Sequence, residues 1–299
     1  MNKIPKVIII AGPTAVGKTA LAIELAQRLG AEIISADSRQ CYRELSIGVA
    51  RPSEVELNQV LHHFIASHSL TDQVNAARFE KESLEMTRQL LQKGSRVVVT
   101  GGTGLYIKAF MHGLDPIPPV PEEIRQTLQA AYEANGLAWL QAEVQRLDPA
   151  FWKTAEQQNP RRLQRALEVI HSTGNSILHF RRSSNVERPF QVLPICLTLP
   201  TPILRERIDQ RIVAMMNAGW LEEVKQLLPY RHLPAMQTVG YRELIEHLDG
   251  KTTLEEAIGK IKINTWQYAR RQMTWWKKQH EFAFLTVNEH ALTTILQQC

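Results

Sequence analysis

The sequence is poor in cysteine and contains no long apolar run. Its 299 residues include three cysteines, Cys41, Cys196 and Cys299, which lie far apart. Their odd number and wide spacing argue against a disulfide framework or a cysteine-based metal site, and are typical of free thiols in a reducing cytosol. No hydrophobic stretch approaches the roughly 20 residues of a membrane span, so we expect no membrane association. The segment 1–6 leads directly into a predicted strand, so we also expect no signal peptide and a cytoplasmic protein.

Internal repeats and low-complexity tracts are also absent, and the formal net charge is only +5. This mild basic excess is compatible with an anionic partner but does not identify one. The length suits one large domain or a domain that carries a smaller one.

Short apolar segments alternate with helical patterns in the first third of the chain. Residues 7–11 and 96–100 are β-branched runs that suit strands buried on both faces of a parallel sheet. A further strand is predicted at 32–35, and helices at 18–29 and 76–92. This alternation predicts an α/β fold, with a parallel sheet flanked by helices.

A proline-rich segment at 115–121 ends this pattern, because proline cannot continue a helix. Residues 122–182 then show amphipathic helical spacing and no strand. We therefore predict an α/β core at 1–114 and 191–299 and an all-helical insertion at 115–190. Within the second part of the core, strands are predicted at 193–199 and 282–285, and helices at 201–218, 219–228 and 254 to about 280.

The first strand is followed by a glycine-rich loop that opens a helix. Its residues are Gly12, Pro13, Thr14, Ala15, Val16, Gly17, Lys18 and Thr19, which match the pattern G-x-x-x-x-G-K-[ST]. Backbone N–H groups and the helix N-terminus favour a phosphate group there, Lys18 adds a full positive charge, and the Thr19 hydroxyl can ligate Mg²⁺. This loop predicts a P-loop-type sheet that binds a diphosphate or polyphosphate.

The acid that kinases and hydrolases place after a later buried strand is missing, since Val99 is followed by Thr100-Gly101-Gly102. The acid that stands out is instead Asp37, which we place at the carboxyl end of the second strand, next to the first. Its carboxylate could accept a proton from a nucleophile, or it could be a simple turn residue. Gly101-Gly102-Thr103-Gly104 is predicted at the same rim.

Two segments are basic. Arg161 and Arg165 share a helix face in the insertion, and residues 259–280 contain six Lys or Arg but no Asp or Glu. The aromatic residues Trp266, Tyr268, Trp275 and Trp276 are interleaved with the second segment. The pattern favours RNA binding, although each tryptophan alone is better explained as core. The adjacent His62 and His63 are interpreted as structural, because neighbouring side chains of an extended segment point to opposite faces.

Together these motifs resemble the tRNA dimethylallyltransferases, also called tRNA isopentenyltransferases, of bacterial type. The resemblance rests on pieces in the family's order over nearly the whole chain: the glycine-rich loop, Ser35-Ala36-Asp37-Ser38-Arg39-Gln40, Ile47-Gly48, Gly101-Gly102-Thr103-Gly104-Leu105-Tyr106, Arg165-Ala166-Leu167-Glu168, Val239-Gly240-Tyr241-Arg242 and Arg271-Gln272-Met273-Thr274-Trp275.

The resemblance implies a prenyltransferase reaction. The exocyclic N6 amine of the adenosine just 3′ of the tRNA anticodon attacks C1 of dimethylallyl diphosphate, and diphosphate leaves. Asp37 would be the general base, and Arg211 with Lys18 and the loop would bind diphosphate with Mg²⁺ at Thr19. The missing kinase acid fits this reaction, because carbon rather than phosphorus is attacked.

The resemblance also implies a set of tRNA contacts. These are Asp37, Ser38, Arg39, Gln40, Thr103, Arg125, Arg161, Arg162, Leu163, Gln164, Arg165, Gly240, Tyr241, Arg242, Arg270, Arg271 and Gln272. The chain departs from the family pattern at Ala66, where Asp is common, and at Gln237 and Trp266, where Arg is common.

Three other functions stay open. An adenylate isopentenyltransferase would prenylate a free nucleotide, although it would not need the insertion and basic segment. A P-loop nucleoside kinase would transfer a phosphoryl group, and a non-enzymatic RNA-binding protein would use the loop as a nucleotide switch. We expect the protein to be a monomer.

Overall fold

The computed structural model describes residues 6–72, 74–181 and 186–299. The segment 1–5, on which the expectation of no signal peptide depends, and Arg182, at the end of the predicted helical stretch, lie outside the described residues. The chain forms two compact units, one comprising Met1–His112 with Glu187–Cys299 and the other Gly113–Val186. Among the described residues, no helix is long and apolar enough to cross a membrane.

The first unit is built on a six-stranded sheet with the order β3-β2-β4-β1-β5-β6, in which all neighbours are parallel. The strands are β1 (Lys6–Ala11), β2 (Ala31–Ser35), β3 (His62–His63), β4 (Arg96–Gly101), β5 (Gln191–Thr198) and β6 (Ala283–Thr286). The central strands β1 and β4 are buried along nearly their whole length, as their β-branched runs predicted.

The prediction that the second strand lies next to the first strand is wrong. β4 lies between β1 and β2, so the strand that precedes Asp37 is not next to the first strand. The register nevertheless aligns the carboxyl ends, because Ala11 pairs with Gly101 and Ser35 with Thr100. The loops after these three strands therefore meet at one edge of the sheet.

The short edge strand β3 was not predicted, because two residues carry no periodicity. His63 Nε2 lies 2.7 Å from Glu32 Oε2 on β2, and His62 Nδ1 lies 2.7 Å from the carbonyl oxygen of Val60. Both histidines thus make contacts within this edge of the sheet.

Helices cover the sheet and form the second unit. In chain order they are α1 (Lys18–Leu29), α2 (Glu54–Leu57), α3 (Ala76–Gln92), α4 (Gly104–His112), α5 (Glu122–Leu147), α6 (Pro149–Trp152), α7 (Pro160–Thr173), α8 (Thr201–Asn217), α9 (Trp220–Gln226), α10 (Tyr241–Leu248), α11 (Leu254–Trp276) and α12 (Ala291–Leu296). The long predicted C-terminal helix is thus α11, which begins after a Thr253 capping box and ends four residues earlier than expected.

The second unit contains α5, α6 and α7, followed by a 3-10 turn at Ile177–Phe180. Its core is formed by Leu128, Leu140, Val144, Phe151, Leu163 and neighbouring apolar side chains. Leu163 is 0% exposed. Its side chain packs inside the unit, while Arg161 and Arg162 lie on the exposed face of the same helix, and the contact of this segment with tRNA remains a prediction.

Candidate active site

The glycine-rich loop connects β1 to α1 as predicted. Gly12 has φ +146°, and a Cβ atom there would lie 2.8 Å from the carbonyl oxygen of Leu197 on β5, so only glycine fits. Lys18, the first residue of α1, donates a hydrogen bond from Nζ to the carbonyl oxygen of Pro13 at 2.7 Å. The loop therefore surrounds its lysine with backbone groups at the N-terminus of a helix, which is an anion-binding arrangement.

Two arginines of α8 hold this loop from the side. Arg211 Nη1 donates to Thr14 Oγ1 at 3.3 Å, and Arg207 Nη1 donates to the carbonyl oxygen of Val16 at 3.2 Å. The two residues are four positions apart and so share a helix face. Arg211 was predicted at this site but Arg207 was missed, although its i,i+4 spacing to Arg211 could have indicated it.

Gln272 of α11 joins the glycine-rich loop to the loop after β4. Its Oε1 accepts a hydrogen bond from the Thr14 backbone N–H at 2.9 Å, and its Nε2 donates to the carbonyl oxygen of Gly102 at 2.9 Å. Gln272 is only 7% exposed. Its amide bonds both loops and lines the polar cavity, and its contact with tRNA remains a prediction.

Asp37 lies in a tight turn directly beyond β2. Its Oδ1 accepts hydrogen bonds from the backbone N–H groups of Arg39 at 2.9 Å and Gln40 at 3.3 Å. Its Oδ2 has no hydrogen-bond partner among the residues that the structure describes. Asp37 therefore is a turn residue, as one interpretation of the sequence held, and still keeps one carboxylate oxygen available for chemistry.

Thr103 and Gln40 support this turn from two sides. The Thr103 hydroxyl accepts from the Ser38 backbone N–H at 3.1 Å and lies 3.3 Å from the Ser38 hydroxyl. The Gln40 side chain donates to the carbonyl oxygens of Val49 at 3.2 Å and Ala50 at 2.9 Å. These predicted tRNA contacts therefore have positioning contacts within the protein.

Two cavities meet at Asp37. The polar cavity, of about 230 Å³, is lined by the glycine-rich loop with Lys18 and Thr19, by Thr100 to Gly102, and by Glu56 and Gln272. The more apolar cavity, of about 260 Å³, is lined by Ile212, Met215, Trp220, Val239 and Thr265 among others. Both cavities share a wall, formed by Thr14, Asp37, Val49, Ala50, Arg211 and Tyr268.

The polar cavity brings two cations, Lys18 and Arg211, together with the carboxylates of Asp37 and Glu56. Burial, and then the neighbouring charge of Arg211, lower the pKa of Lys18 to about 8, while Asp37 acts in the opposite direction. Burial likewise lowers the pKa of Arg211, which Asp37 partly counteracts. A bound anion would favour the charged forms of both Lys18 and Arg211, which burial disfavours.

The residues around the polar cavity fit a magnesium ion that is held largely by its ligand. Thr19 supplies a hydroxyl, and Asp37 and Glu56 supply carboxylates at the cavity wall. Within the described part of the chain, no cluster of three or more His, Cys, Asp or Glu could hold a metal by itself. Magnesium commonly binds through one or two protein oxygens plus phosphate oxygens, which this set could provide.

Gly240 and Tyr241 are buried, and their contacts with tRNA remain a prediction. Tyr241 is 0% exposed, and its hydroxyl donates to Glu223 Oε1 at 2.6 Å. Burial, and then the negative charge of Glu223, raise the pKa of Tyr241. Arg242 in the same motif is exposed, and its Nη2 lies 2.6 Å from Glu243 Oε1.

The remaining predicted tRNA contacts are arginines and a glutamine at accessible positions. Arg270 and Arg271 are exposed on α11. In the helical unit, Arg162 pairs with Glu156 at 3.2 Å, Arg165 with Glu168 at 2.9 Å and Arg125 with Glu122 at 3.7 Å. Gln164 Nε2 donates to Gln129 Oε1 at 2.8 Å. Their role in RNA binding remains a prediction.

The aromatic residues of α11 divide between core and site. Trp276 is fully buried against Phe282, whereas Tyr268 is 38% exposed and lines both cavities. Trp266, one of the departures from the family pattern, lies under the guanidinium of Arg205 at 5.2 Å. Of the other departures, Ala66 has φ +49°, and Gln237 Nε2 donates to the carbonyl oxygen of Arg231 at 2.9 Å.

Comparisons with known proteins agree on one family. A family model described as IPP transferase matches residues 40–279. The tRNA dimethylallyltransferase 1 of Phocaeicola vulgatus is 42% identical over 97% of this chain and 96% of the relative. That of Bacteroides thetaiotaomicron is 44% identical over 93% of this chain and 90% of the relative.

A solved structure is similar over the same extent. The tRNA isopentenylpyrophosphate transferase of Bacillus halodurans is 32% identical with a TM-score of 0.73, covering 98% of this chain and 95% of that chain. The match extends over both units and all the loops around the two cavities, so this chain belongs to the IPP transferase family.

Proposed function

We propose that this protein transfers a dimethylallyl group from dimethylallyl diphosphate to N6 of the adenosine just 3′ of the anticodon in tRNA. The observation that carries the proposal is the wall shared by a polar and a more apolar cavity, with Asp37 and Arg211 in it. A diphosphate ester of a short apolar group has one end suited to each cavity. The names of the relatives, tRNA dimethylallyltransferases, support the same reaction.

In the proposed reaction, the N6 lone pair forms a bond to C1 while the bond between C1 and the diphosphate oxygen breaks. The diphosphate leaves with that electron pair, and the N6 proton passes to the Asp37 carboxylate. Asp37 Oδ1 is anchored by its turn, so the carboxylate is oriented before the substrates bind.

The leaving group gains negative charge as the bond breaks. Lys18, Arg211 and residues of the glycine-rich loop line the cavity in which it would form. Preorganised donors of this kind stabilise a developing charge more than they stabilise the substrate. A magnesium ion at Thr19, when bound, would neutralise part of the same charge.

The proposal is tested by incubating the protein with dimethylallyl diphosphate, Mg²⁺ and unmodified tRNA, and by analysing nucleosides by mass spectrometry. We expect a prenylated adenosine in the anticodon loop. Adenosine monophosphate as the better acceptor would indicate an adenylate isopentenyltransferase, and label transfer from γ-labelled ATP would indicate a kinase. Absence of prenylated product, beside an active control enzyme, would refute the proposal. A monomeric state and a cytoplasmic location remain predictions.

A further inference from the structure

A carboxylate outside the two cavities holds part of their shared wall. Glu223, on α9, accepts hydrogen bonds at Oε2 from the backbone N–H groups of Ser46 at 3.0 Å and Ile47 at 2.7 Å. Its Oε1 accepts from the Gly48 backbone N–H at 3.1 Å and from the Tyr241 hydroxyl at 2.6 Å. Three consecutive backbone donors and one side-chain donor therefore converge on a single carboxylate.

The three backbone donors belong to the 46–50 loop, a segment without regular secondary structure that follows the Asp37 turn. Its backbone carbonyl groups at Val49 and Ala50 accept hydrogen bonds from the Gln40 side chain, as described above. The Ala50 backbone N–H donates to the carbonyl oxygen of Ile47 at 2.9 Å, and Ala50 has φ +47°. Glu223 thus binds backbone N–H groups of this loop, and Gln40 binds its carbonyl groups. The positive φ of Ala50 makes the conformation of the loop strained.

Arg51 completes this arrangement. Its Nη2 donates to the carbonyl oxygens of Tyr42 and Arg43, each at 2.8 Å, and to that of Leu45. The guanidinium also lies close enough to interact electrostatically with Glu223. A cation therefore binds the carbonyl groups just before the loop, and an anion binds the N–H groups that begin it.

The loop has a direct relation to the proposed chemistry. Val49 and Ala50 line both cavities, beside Asp37 and Arg211. These two loop residues therefore border the passage from the polar to the apolar cavity, together with Thr14, Asp37, Arg211 and Tyr268. Because loop positions depend on side-chain anchors rather than on a helix or sheet ladder, releasing one anchor should change the width of this passage.

We propose that Glu223 is a positioning residue for prenyl transfer. It holds the 46–50 loop where the passage between the two cavities is wide enough for a five-carbon group. The inference rests on the proposed function. It concerns a residue that contacts the loop and not the reacting atoms.

The test uses Glu223→Gln, which keeps the side-chain volume but replaces an acceptor oxygen by an amide that can only donate. At least one N–H group of the loop then loses its partner. Glu222→Gln is the matched control, because Glu222 is the exposed neighbouring glutamate and pairs only with Lys225 on the same helix among the described residues.

Each variant and the unsubstituted protein would be given dimethylallyl and geranyl diphosphate as competing donors, with unmodified tRNA as acceptor. We expect the preference for dimethylallyl over geranyl to fall about fivefold or more in Glu223→Gln, since pocket fit for hydrocarbon groups discriminates on this order. Glu222→Gln should keep the original preference. Both products come from one sample, so a smaller folded fraction cancels in the ratio.

Tyr241→Phe provides a milder variant that keeps the buried ring and removes one of the four bonds to Glu223. We expect the same change in preference by a smaller factor. Hydrogen exchange should also become faster at the Ser46, Ile47 and Gly48 amides in Glu223→Gln. An unchanged donor ratio in both variants would overturn the assignment, even if total activity fell. Failure of the unsubstituted protein to prenylate tRNA would instead refute the proposed function.

Discussion

At the scale of single residues, the Asp37 carboxylate divides its two oxygens between structure and proposed chemistry. Oδ1 closes a turn through two backbone N–H groups, and Oδ2 has no hydrogen-bond partner within the described residues. The two interpretations of this residue, turn or base, are therefore compatible. This division also permits a variant that separates them.

Asp37→Asn should abolish most activity without disturbing the turn, because the asparagine Oδ1 can still accept both N–H bonds. Loss of the general base should lower kcat by about 10²-fold or more, with the KM for dimethylallyl diphosphate changed much less. Asp209→Asn, at an exposed position on α8, is the control. Steady-state kinetics with tRNA decide the matter, and near-normal kcat in Asp37→Asn would exclude Asp37 as the base.

Lys18 should give diphosphate binding a distinctive pH dependence. Its pKa is lowered to about 8 in the free protein by burial and by Arg211, with Asp37 and Cys196 as the other charged or titratable neighbours. The ammonium group therefore loses its charge as pH rises through about 8, whereas a bound anion favours the charged form and raises this pKa. Binding above pH 8 should thus take up a proton at Lys18, and affinity should fall as pH increases.

Calorimetry with inorganic diphosphate in buffers of different ionisation enthalpy measures this proton. Diphosphate itself titrates in the same range, so the decisive quantity is the difference between the unsubstituted protein and Lys18→Met. We expect greater proton uptake in the unsubstituted protein. Equal values in the two proteins would show that Lys18 stays charged throughout.

At the scale of elements, α11 shows how one helix serves three environments. Trp276 packs in the core, Gln272 joins two loops of the site, and Arg270 and Arg271 point to solvent. The sequence motif groups these residues together, but the helical rotation of about 100° per residue separates their faces. This rotation is why Gln272 faces the two loops while its neighbours Arg270 and Arg271 face solvent.

The turn before α10 depends on a glycine that packs against Trp220. Gly240 has φ +95°, and a Cβ atom there would lie 2.1 Å from the Trp220 ring. Gly240→Ala should therefore destabilise the protein by about 2 kcal/mol or more, through overpacking and backbone strain. Trp220 lines the apolar cavity, so activity should fall as well.

Gly259→Ala is the matched control for this prediction. Gly259 lies inside α11, and a Cβ atom there would have no neighbour within 4 Å. Alanine favours helix, so this change should stabilise the protein by about 0.5–1 kcal/mol. Urea unfolding measures the change in the free energy of unfolding for both variants, which should be opposite in sign. A Gly240→Ala protein as stable as the unsubstituted one would contradict the packing observed at Trp220.

At the scale of the whole molecule, the two units divide the predicted tasks. The cavities are lined by residues of the α/β unit alone, whereas the helical unit carries a second group of exposed arginines. The exposed Arg161 and Arg162 belong to that second unit. Removing their charge should therefore affect RNA binding and leave diphosphate binding intact.

The double variant Arg161→Ala and Arg162→Ala should weaken tRNA binding. It should also reduce the slope of log K against log salt concentration by about one to two, the value expected for one or two lost phosphate contacts. The KM for dimethylallyl diphosphate should not change. Arg146→Ala is the control, since Arg146 is an exposed arginine of the same unit that is not among the predicted tRNA contacts. Titrations of tRNA at several salt concentrations measure the slope, and an unchanged slope would exclude these arginines from the RNA interface.

Local chemistry determined much of this protein from its sequence. The glycine-rich loop, the β-branched strands and the helices at 18–29 and 76–92 follow from backbone preferences that act within a few residues, and they lie where predicted. Asp37 and Arg211 were also identified before the structure. The position of Asp37 required only that the carboxyl ends of parallel strands align, whereas Arg211, identified through the family resemblance, reaches the site from α8.

Only the tertiary structure decided what surrounds these residues. Glu223 is 175 positions or more from the loop amides that it holds, and Gln272 is 258 from Thr14. Such pairings leave no periodic pattern in the chain, because they depend on which helix faces which loop once the sheet has formed. The burial of Tyr241 and Leu163, and the placement of β4 between β1 and β2, were decided in the same way: long-range packing selects among arrangements that local sequence allows equally.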